Sequence, residues 1–133
     1  MKKKNCNIMV VDDEPKALEL VKAMLAPRGY ETILVNDSKK AIGTAIDLKP
    51  DLILLDIMMP ELDGYSILNE LKDIEKTKNI PVIMLTAVGH ELNKKLADSL
   101  GAAGYITKPI DSSVLSKTVA RFIRPVIHKK GVG

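Results

Sequence analysis

The sequence predicts an α/β fold, a doubly wound five-stranded parallel sheet with helices on both faces. Five short apolar runs, rich in β-branched residues, alternate with segments in which apolar residues recur at helical spacing. The runs are continuously apolar, which is typical of strands buried on both faces. Strict alternation of strand and helix requires right-handed crossovers, and these place helices on both sides of the sheet.

The strands are predicted at residues 8–11, 32–35, 52–55, 81–85 and 105–106. Each of the five predicted helices has an apolar stripe with intervals of three or four residues. In chain order the stripes are Leu18, Val21 and Leu25; Ala41, Ile42 and Ala45; Tyr65, Leu68 and Leu71; Leu92, Leu96 and Leu100; and Val114, Leu115, Thr118, Val119 and Phe122.

Residues with turn and capping preferences mark the helix ends. Asp13 is predicted to cap the first helix, which has a proline in its first turn. Gly29 and Gly101 stand where a left-handed residue would end the first and fourth helices. Asp111 is predicted to cap the fifth helix.

The length and composition indicate one domain that needs neither a structural metal ion nor a disulfide bond. We expect residues 1–124 to form the domain and residues 125–133 a short basic tail. The net charge of +3 is concentrated at the two ends, and with no Trp and one Phe we expect solvated tails and no direct nucleic-acid contact. The apolar run after the basic start is too short for a signal or membrane segment. A single cysteine, Cys6, fits a reducing cytoplasm.

Asp56 ends the central apolar run and precedes a loop that contains Pro60 and Gly64. In open α/β sheets ligands bind at the carboxyl ends of the strands. Asp56 lies at such a strand end, so it is placed where chemistry is expected. An Asp after a strand can also be the N-cap of the next helix. On this stretch alone the two interpretations are balanced.

Polar residues also follow other predicted strands. Asp12 and Asp13 follow the first strand, Thr86 ends the fourth and Lys108 follows the fifth. Because the carboxyl ends of parallel strands share one edge, we expect three carboxylates, a hydroxyl and an ammonium group in one site. Carboxylates this close raise one another's pKa unless a cation is present.

Oxygen ligands alone favour a hard divalent cation, and Mg²⁺ fits best. Zinc is improbable because Cys6, His90 and His128 fall outside this edge. Mg²⁺ beside a free carboxylate suits phosphoryl transfer, in which the carboxylate is the nucleophile.

The roles in such a transfer follow from position. Asp56 stands alone at the central strand and is the candidate nucleophile, whereas the pair Asp12 and Asp13 are candidate metal ligands. Lys108 would pair with a phosphoryl oxygen, and Thr86 would donate a hydroxyl hydrogen bond.

From about residue 7 to residue 123, the sequence resembles receiver domains of bacterial two-component response regulators. The resemblance is to the single-domain form typified by chemotaxis and sporulation phosphorelay regulators. Each motif alone is weak, but all of them in order at strand ends are highly specific. The motifs are Asp12 and Asp13, Asp56, Met59-Pro60, Asp63-Gly64, Thr86-Ala87, Tyr105 and Lys108-Pro109.

The resemblance implies a flavodoxin-like strand order, 2-1-3-4-5, and phosphoryl transfer to Asp56 with Mg²⁺ bound. The donor would be a histidine kinase or histidine phosphotransfer protein. The backbone carbonyl of Met58 would be a further metal ligand beside Asp12, Asp13 and Asp56. A peptide bond preceding a proline, Lys108-Pro109, is expected to be cis.

The resemblance also implies a two-state switch. Thr86 would move toward the phosphoryl group and Tyr105 would turn inward, which changes the face made by the fourth helix, fifth strand and fifth helix. The signal would reach a downstream protein target, or the phosphoryl group would be passed on. Met58 and Val88 flank the site with apolar side chains that cannot position an attacking water, so we expect slow autodephosphorylation.

Three alternatives remain open. A phosphohydrolase of the haloacid dehalogenase type needs a second Asp two residues after its nucleophile, where this sequence has Met58. A flavodoxin-like binding module is disfavoured because the turn at residues 12–15 offers carboxylates and no glycine to a phosphate. A receiver that acts unphosphorylated would not need its complete acidic site.

We expect the chain to catalyse only its own phosphorylation and dephosphorylation. Met1 and the tail favour a free-standing product over a fragment of a longer regulator or hybrid kinase.

Overall fold

The computed structural model describes residues 6–60, 63–87 and 94–123, which form five strands and five helices. Two short 3₁₀ turns, Ala26–Arg28 and Ser38–Lys40, precede β2 and α2. The elements in chain order are β1 Cys6–Val11, α1 Pro15–Leu25, β2 Tyr30–Val35, α2 Ala41–Leu48, β3 Leu52–Asp56, α3 Gly64–Asp73, β4 Val82–Thr86, α4 Lys94–Leu100, β5 Gly104–Thr107 and α5 Ser112–Ala120.

The strands form one parallel sheet in the order β2-β1-β3-β4-β5, which confirms the predicted fold class and strand order. Val11 of β1 pairs with Leu55 of β3, and Asp56 pairs with Leu85 of β4. Thr86 pairs with Thr107 of β5. This register brings the carboxyl ends of the four strands β1, β3, β4 and β5 to one edge of the sheet.

The sheet separates two apolar cores, because successive side chains of a strand point to opposite faces. Met9 and Ile53 face one core, which is completed by side chains of α2 and α3. Ile8 and Leu54 face the other core, which is completed by α1 and α5. All four apolar residues of β3 are fully buried, as a continuously apolar central strand requires.

The capping predictions are confirmed except at the first helix. Asp13 does not cap α1: the N-cap residue is Glu14, and its side chain makes no capping hydrogen bond. The carboxylate of Asp12 takes the amide of Glu14 instead, at 3.0 Å. Asp111 caps α5 by accepting hydrogen bonds from two amides of its first turn.

Gly29 and Gly101 both adopt the left-handed conformation, with φ of 88° and 98°. Gly101 directly follows α4, whereas Gly29 follows the 3₁₀ turn that extends α1. In the fourth predicted stripe, Leu92 lies outside the described residues. Phe122 lies beyond α5 and packs at the margin of the core that α1 and α5 complete.

The end of α5 is tied to the start of β2. The hydroxyl group of Tyr30, the first residue of β2, donates a hydrogen bond of 3.0 Å to the carbonyl oxygen of Ile123. Burial raises the pKa of the Tyr30 hydroxyl group, which favours its protonated, hydrogen-bond-donating form. Among the described residues, no helix has the length and apolar character needed to cross a membrane.

Candidate functional site

Three carboxylates meet at the carboxyl edge of the sheet. Asp12 and Asp13 follow β1, and Asp56 is the last residue of the neighbouring strand β3. One carboxylate oxygen of each residue lies within 4.8 Å of the others. Asp12 is 2% exposed and Asp56 is 5% exposed, whereas Asp13 is open to solvent. The structure therefore brings together the acidic residues that sequence reasoning selected.

Backbone amides orient the two buried carboxylates. Oδ1 of Asp12 accepts the amide of Glu14 at 3.0 Å, and Oδ1 of Asp56 accepts the amide of Met58 at 3.3 Å. In both cases an Asp side chain holds the backbone two residues further on, as in an Asx turn. Each carboxylate is fixed through Oδ1, and its Oδ2 oxygen faces the ammonium group of Lys108.

Lys108 pairs more closely with Asp12 than with Asp56. Its Nζ atom lies 2.8 Å from Oδ2 of Asp12 and 3.6 Å from Oδ2 of Asp56. Its backbone amide donates to the carbonyl oxygen of Thr86 at 2.6 Å, and the Lys108-Pro109 peptide bond is cis. Burial alone would lower the pKa of Lys108, but the hydrogen bond and charge of Asp12, with the charge of Asp56, raise it. The side chain is therefore a cation at neutral pH.

The site has more negative charge than one ammonium group neutralises. Burial first, and repulsion by Asp12 second, raise the pKa of Asp56 to about 6, although Lys108 and the amide of Met58 oppose the shift. Asp56 is thus ionised at neutral pH at an energetic cost that a second cation would relieve. The donors are all oxygens, so the cluster fits a hard cation such as Mg²⁺.

Thr86 lies next to this cluster and Tyr105 lies outside it. Thr86 is the buried last residue of β4, the strand that pairs with β3. The hydroxyl group of Tyr105 donates a hydrogen bond to the carboxylate of Asp98 in α4, and this bond raises the pKa of the phenol. The Nζ atom of Lys94 lies 5.9 Å from the centroid of the Tyr105 ring. Tyr105 is therefore held by α4 rather than by the acidic site.

The loop after Asp56 alternates between buried and exposed residues. Ile57 and Met59 are buried, whereas Met58 between them is 52% exposed. Met58 is therefore an exposed apolar residue two positions after Asp56. Val88 lies outside the described residues, as do the two histidines, and Cys6 begins β1 at the other end of the sheet.

An open pocket of about 400 Å³ adjoins the exposed carboxylate of Asp13. Its other walls come from the segment between β2 and α2 and from the loop after β3. They are formed by Asn36, Asp37, Ser38, Lys39 and Pro60. The acidic cluster is therefore reachable from the Asp13 side.

Gly64 is a residue whose position beside the site the sequence did not predict. It is the buried first residue of α3, and a Cβ atom there would lie 2.6 Å from the backbone oxygen of Asp56. The only signal in the sequence was its place in the Asp63-Gly64 motif. A contact with the backbone of the candidate nucleophile depends on where α3 packs, which a motif does not specify.

Comparisons with known proteins agree with this geometry. The family model described as the response regulator receiver domain matches residues 8–120. The phosphate regulon transcriptional regulatory protein PhoB of Pseudomonas aeruginosa is 41% identical over 126 residues, which are 95% of this chain and 53% of that protein. Protein PilH of the same species is 35% identical over 112 residues, which are 84% of this chain and 93% of PilH.

A solved structure of similar fold is the receiver domain of a sensor histidine kinase from Pseudomonas aeruginosa PAO1, with a magnesium ion coordinated in the active site cleft. It is 32% identical, with a TM-score of 0.81, over 90% of this chain and 98% of that one. The chain spans about half the length of the first curated relatives that it matches, 48%, 53% and 49%. It belongs to the family of response regulator receiver domains, which are phosphorylation-activated switches.

Proposed function

We propose that the chain accepts a phosphoryl group on Asp56 from a histidine kinase or a histidine phosphotransfer protein, in a reaction that depends on Mg²⁺. The observation that carries this proposal is the cluster of three carboxylates within 4.8 Å, with the Lys108 ammonium group against two of them. A site of this kind can hold both a nucleophile and the cations that phosphoryl oxygens require.

In the transfer, a carboxylate oxygen of Asp56 attacks the phosphorus atom of a phosphohistidine. The bond between phosphorus and the imidazole nitrogen breaks, and its electron pair leaves with the imidazole. Asp56 must be ionised to attack, and a pKa of about 6 leaves it ionised at neutral pH. Lys108, 3.6 Å from Asp56, is positioned to stabilise negative charge on a phosphoryl oxygen. Thr86 supplies a hydroxyl hydrogen bond from the end of β4.

The carboxylates of Asp12, Asp13 and Asp56 and the backbone carbonyl of Met58 would hold Mg²⁺. The ion, when bound, neutralises charge on the phosphoryl oxygens and orients the transferring group. The raised pKa of Asp56 supports this assignment, because burial first and the charge of Asp12 second disfavour the ionised carboxylate, and a bound cation would offset both effects. Asp13 and the pocket beside it are open to solvent, which supports access of the phosphoryl donor to the acidic cluster.

The proposed output is a change in the face formed by α4, β5 and α5. Thr86 would move toward the phosphoryl group, and Tyr105 would leave its bond with Asp98 and turn inward. The hydrogen bond to Asp98 gives the Tyr105 hydroxyl group a defined position on α4 from which such a change can start. The face would then contact a downstream protein, or the phosphoryl group would pass to another protein.

In this proposal residues 1–124 form the receiver domain, and residues 125–133 form a short basic tail. The chain catalyses only its own phosphorylation and dephosphorylation, works in the cytoplasm and contacts neither nucleic acid nor membrane directly. A phosphohydrolase of the haloacid dehalogenase type is the main competing function. The exposed, apolar Met58 stands where that class needs an acid, which favours the switch.

The test is intact mass after incubation with acetyl phosphate, with and without Mg²⁺. We expect one phosphoryl group on the wild type, only with metal, and none on Asp56→Asn. Asp47→Asn is the matched control, because Asp47 is an exposed acid on α2. Steady release of phosphate from a generic phosphatase substrate would support the hydrolase instead. An Asp56→Asn variant that still gains the group would contradict the proposal.

A further inference from the structure

The helix that follows the acidic site begins in direct contact with the peptide bond after Asp56. A Cβ atom on Gly64 would lie 2.6 Å from the carbonyl oxygen of Asp56 and 2.8 Å from Cα of Ile57. Both are backbone atoms, so no side-chain rotation could relieve the overlap. The first residue of α3 can therefore pack here only because it has no side chain.

The same peptide segment is bonded on two sides. The amide of Ile57 donates to the carbonyl oxygen of Leu85 in β4 at 3.1 Å, and the carbonyl oxygen of Ile57 accepts the amide of Gly64 at 2.9 Å. The amide of Met58 then holds the carboxylate of Asp56 at 3.3 Å. A displacement of this segment would therefore change the direction of the Asp56 carboxylate and of the Met58 carbonyl together.

The helix is held against the sheet by its buried side chains. Ile67, Leu68 and Leu71 of α3 are fully buried in the core, so the helix cannot move away from the sheet without exposing all three. Its first turn is closed by Asp63, whose carboxylate accepts the amide of Ser66 at 2.9 Å. A group inserted between α3 and the peptide would therefore displace the peptide.

We propose that Gly64 is a positioning residue for the phosphorylation of Asp56. The missing side chain lets the start of α3 clamp the peptide between Asp56 and Ile57, and this contact sets the direction of the Asp56 carboxylate and the Met58 carbonyl. The proposal rests on the proposed function, because it assigns Gly64 to the metal and phosphoryl site of that function.

The first test adds one methyl group at Gly64. For Gly64→Ala we expect Mg²⁺ affinity and the rate of phosphorylation by acetyl phosphate each to fall about tenfold or more, as for a reacting group displaced by an ångström. The backbone amide resonances of Ile57 and Met58 should shift even without metal. The control is Gly43→Ala in α2, where an added Cβ atom meets nothing within 4 Å. That variant should bind Mg²⁺ as the wild type does.

A second pair of variants compares the two ends of α3 and does not depend on Gly64→Ala folding. Asp63→Ala releases the first turn and should weaken Mg²⁺ binding severalfold. Thr77→Val removes the hydroxyl group that donates to the carbonyl oxygen of Leu71, at the far end of the helix. It should lower the unfolding temperature without changing Mg²⁺ affinity. This contrast separates a positioning effect from a general loss of stability.

The outcomes distinguish this proposal from the function on which it rests. If the wild type neither binds Mg²⁺ nor accepts a phosphoryl group, the proposed function is wrong. If the wild type does both, and a folded Gly64→Ala protein matches it in affinity, rate and the two amide resonances, the positioning role is wrong. If Gly64→Ala does not fold, Asp63→Ala decides: wild-type Mg²⁺ affinity would overturn the role, and weaker affinity would support it.

Discussion

Replacing Asp56 by Asn should make the metal-free protein more stable above neutral pH. Burial and the charge of Asp12 raise the pKa of Asp56 from its ordinary 3.8 to about 6. A carboxyl group with a higher pKa in the folded state binds its proton more tightly there than in the unfolded state. Stability therefore decreases as pH rises from about 4 to about 6 and stays at the lower level above that range.

The size of the effect follows from the shift. Roughly two pKa units correspond to about 3 kcal/mol, and solvent screening at the sheet edge reduces this to about 2 kcal/mol. Asn has nearly the same shape, carries no charge and can still accept the amide of Met58. We expect Asp56→Asn to raise the free energy of unfolding by about 2 kcal/mol at about pH 7.5, with the gain vanishing near pH 4.

Denaturant unfolding with a chelator, at a series of pH values, measures this difference. Added Mg²⁺ should reduce the difference in free energy of unfolding between Asp56→Asn and the wild type. The ion stabilises a protein that binds it more tightly in the folded state, and the wild type keeps all three carboxylates of the site. Asp47→Asn, on the exposed side of α2, controls for the loss of one negative charge. An Asp56→Asn variant no more stable than the wild type near neutral pH, or equally stabilised at pH 4, would refute the electrostatic reasoning.

Three further predictions concern single groups. Thr77→Val should lower the free energy of unfolding by about 1–3 kcal/mol, because the fully buried hydroxyl group of Thr77 donates at 2.6 Å to the carbonyl oxygen of Leu71. Thr77→Ser keeps the hydroxyl group, so its free energy of unfolding, measured with denaturant, should fall less. Met58→Asn should shorten the lifetime of the phosphoprotein, measured as decay of the phosphorylated mass, and an unchanged or longer lifetime would contradict slow autodephosphorylation. Gly101→Ala should cost about 1–2 kcal/mol in the same unfolding assay, because φ at this position is 98°; unchanged stability would refute it.

The pattern of apolar residues was sufficient to predict the sheet. The four consecutive apolar residues of β3 are all buried, which is typical of a central strand covered on both faces. The cap of α1 shows where local rules fail. Asp12 and Asp13 both have side chains suited to an N-cap, and only the course of the chain after β1 decides between them. In the structure Asp12 accepts the Glu14 amide, and α1 starts without a side-chain cap.

The residues of the acidic cluster were predictable because parallel strands end at a common edge. Their pairing was not. Lys108 faces both buried carboxylates, and its closer approach to Asp12 than to Asp56 depends on the path of the chain after β5. The partner of Tyr105 is likewise set by the packing of α4, which brings Asp98 to the hydroxyl group. Contacts between elements carry this information, and single-sequence patterns do not.

The bond between Tyr30 and Ile123 also determines how other molecules can be attached to the domain. Tyr30 begins β2 and pairs with Cys6 at the start of β1, so both ends of the described chain lie near the amino-terminal end of the sheet. The acidic cluster lies at the opposite end, roughly 15 Å away for a five-residue strand. A fluorophore or affinity tag attached at position 123 would therefore lie at the end of the sheet opposite Asp56, and surface immobilisation through that position should leave Asp56 accessible.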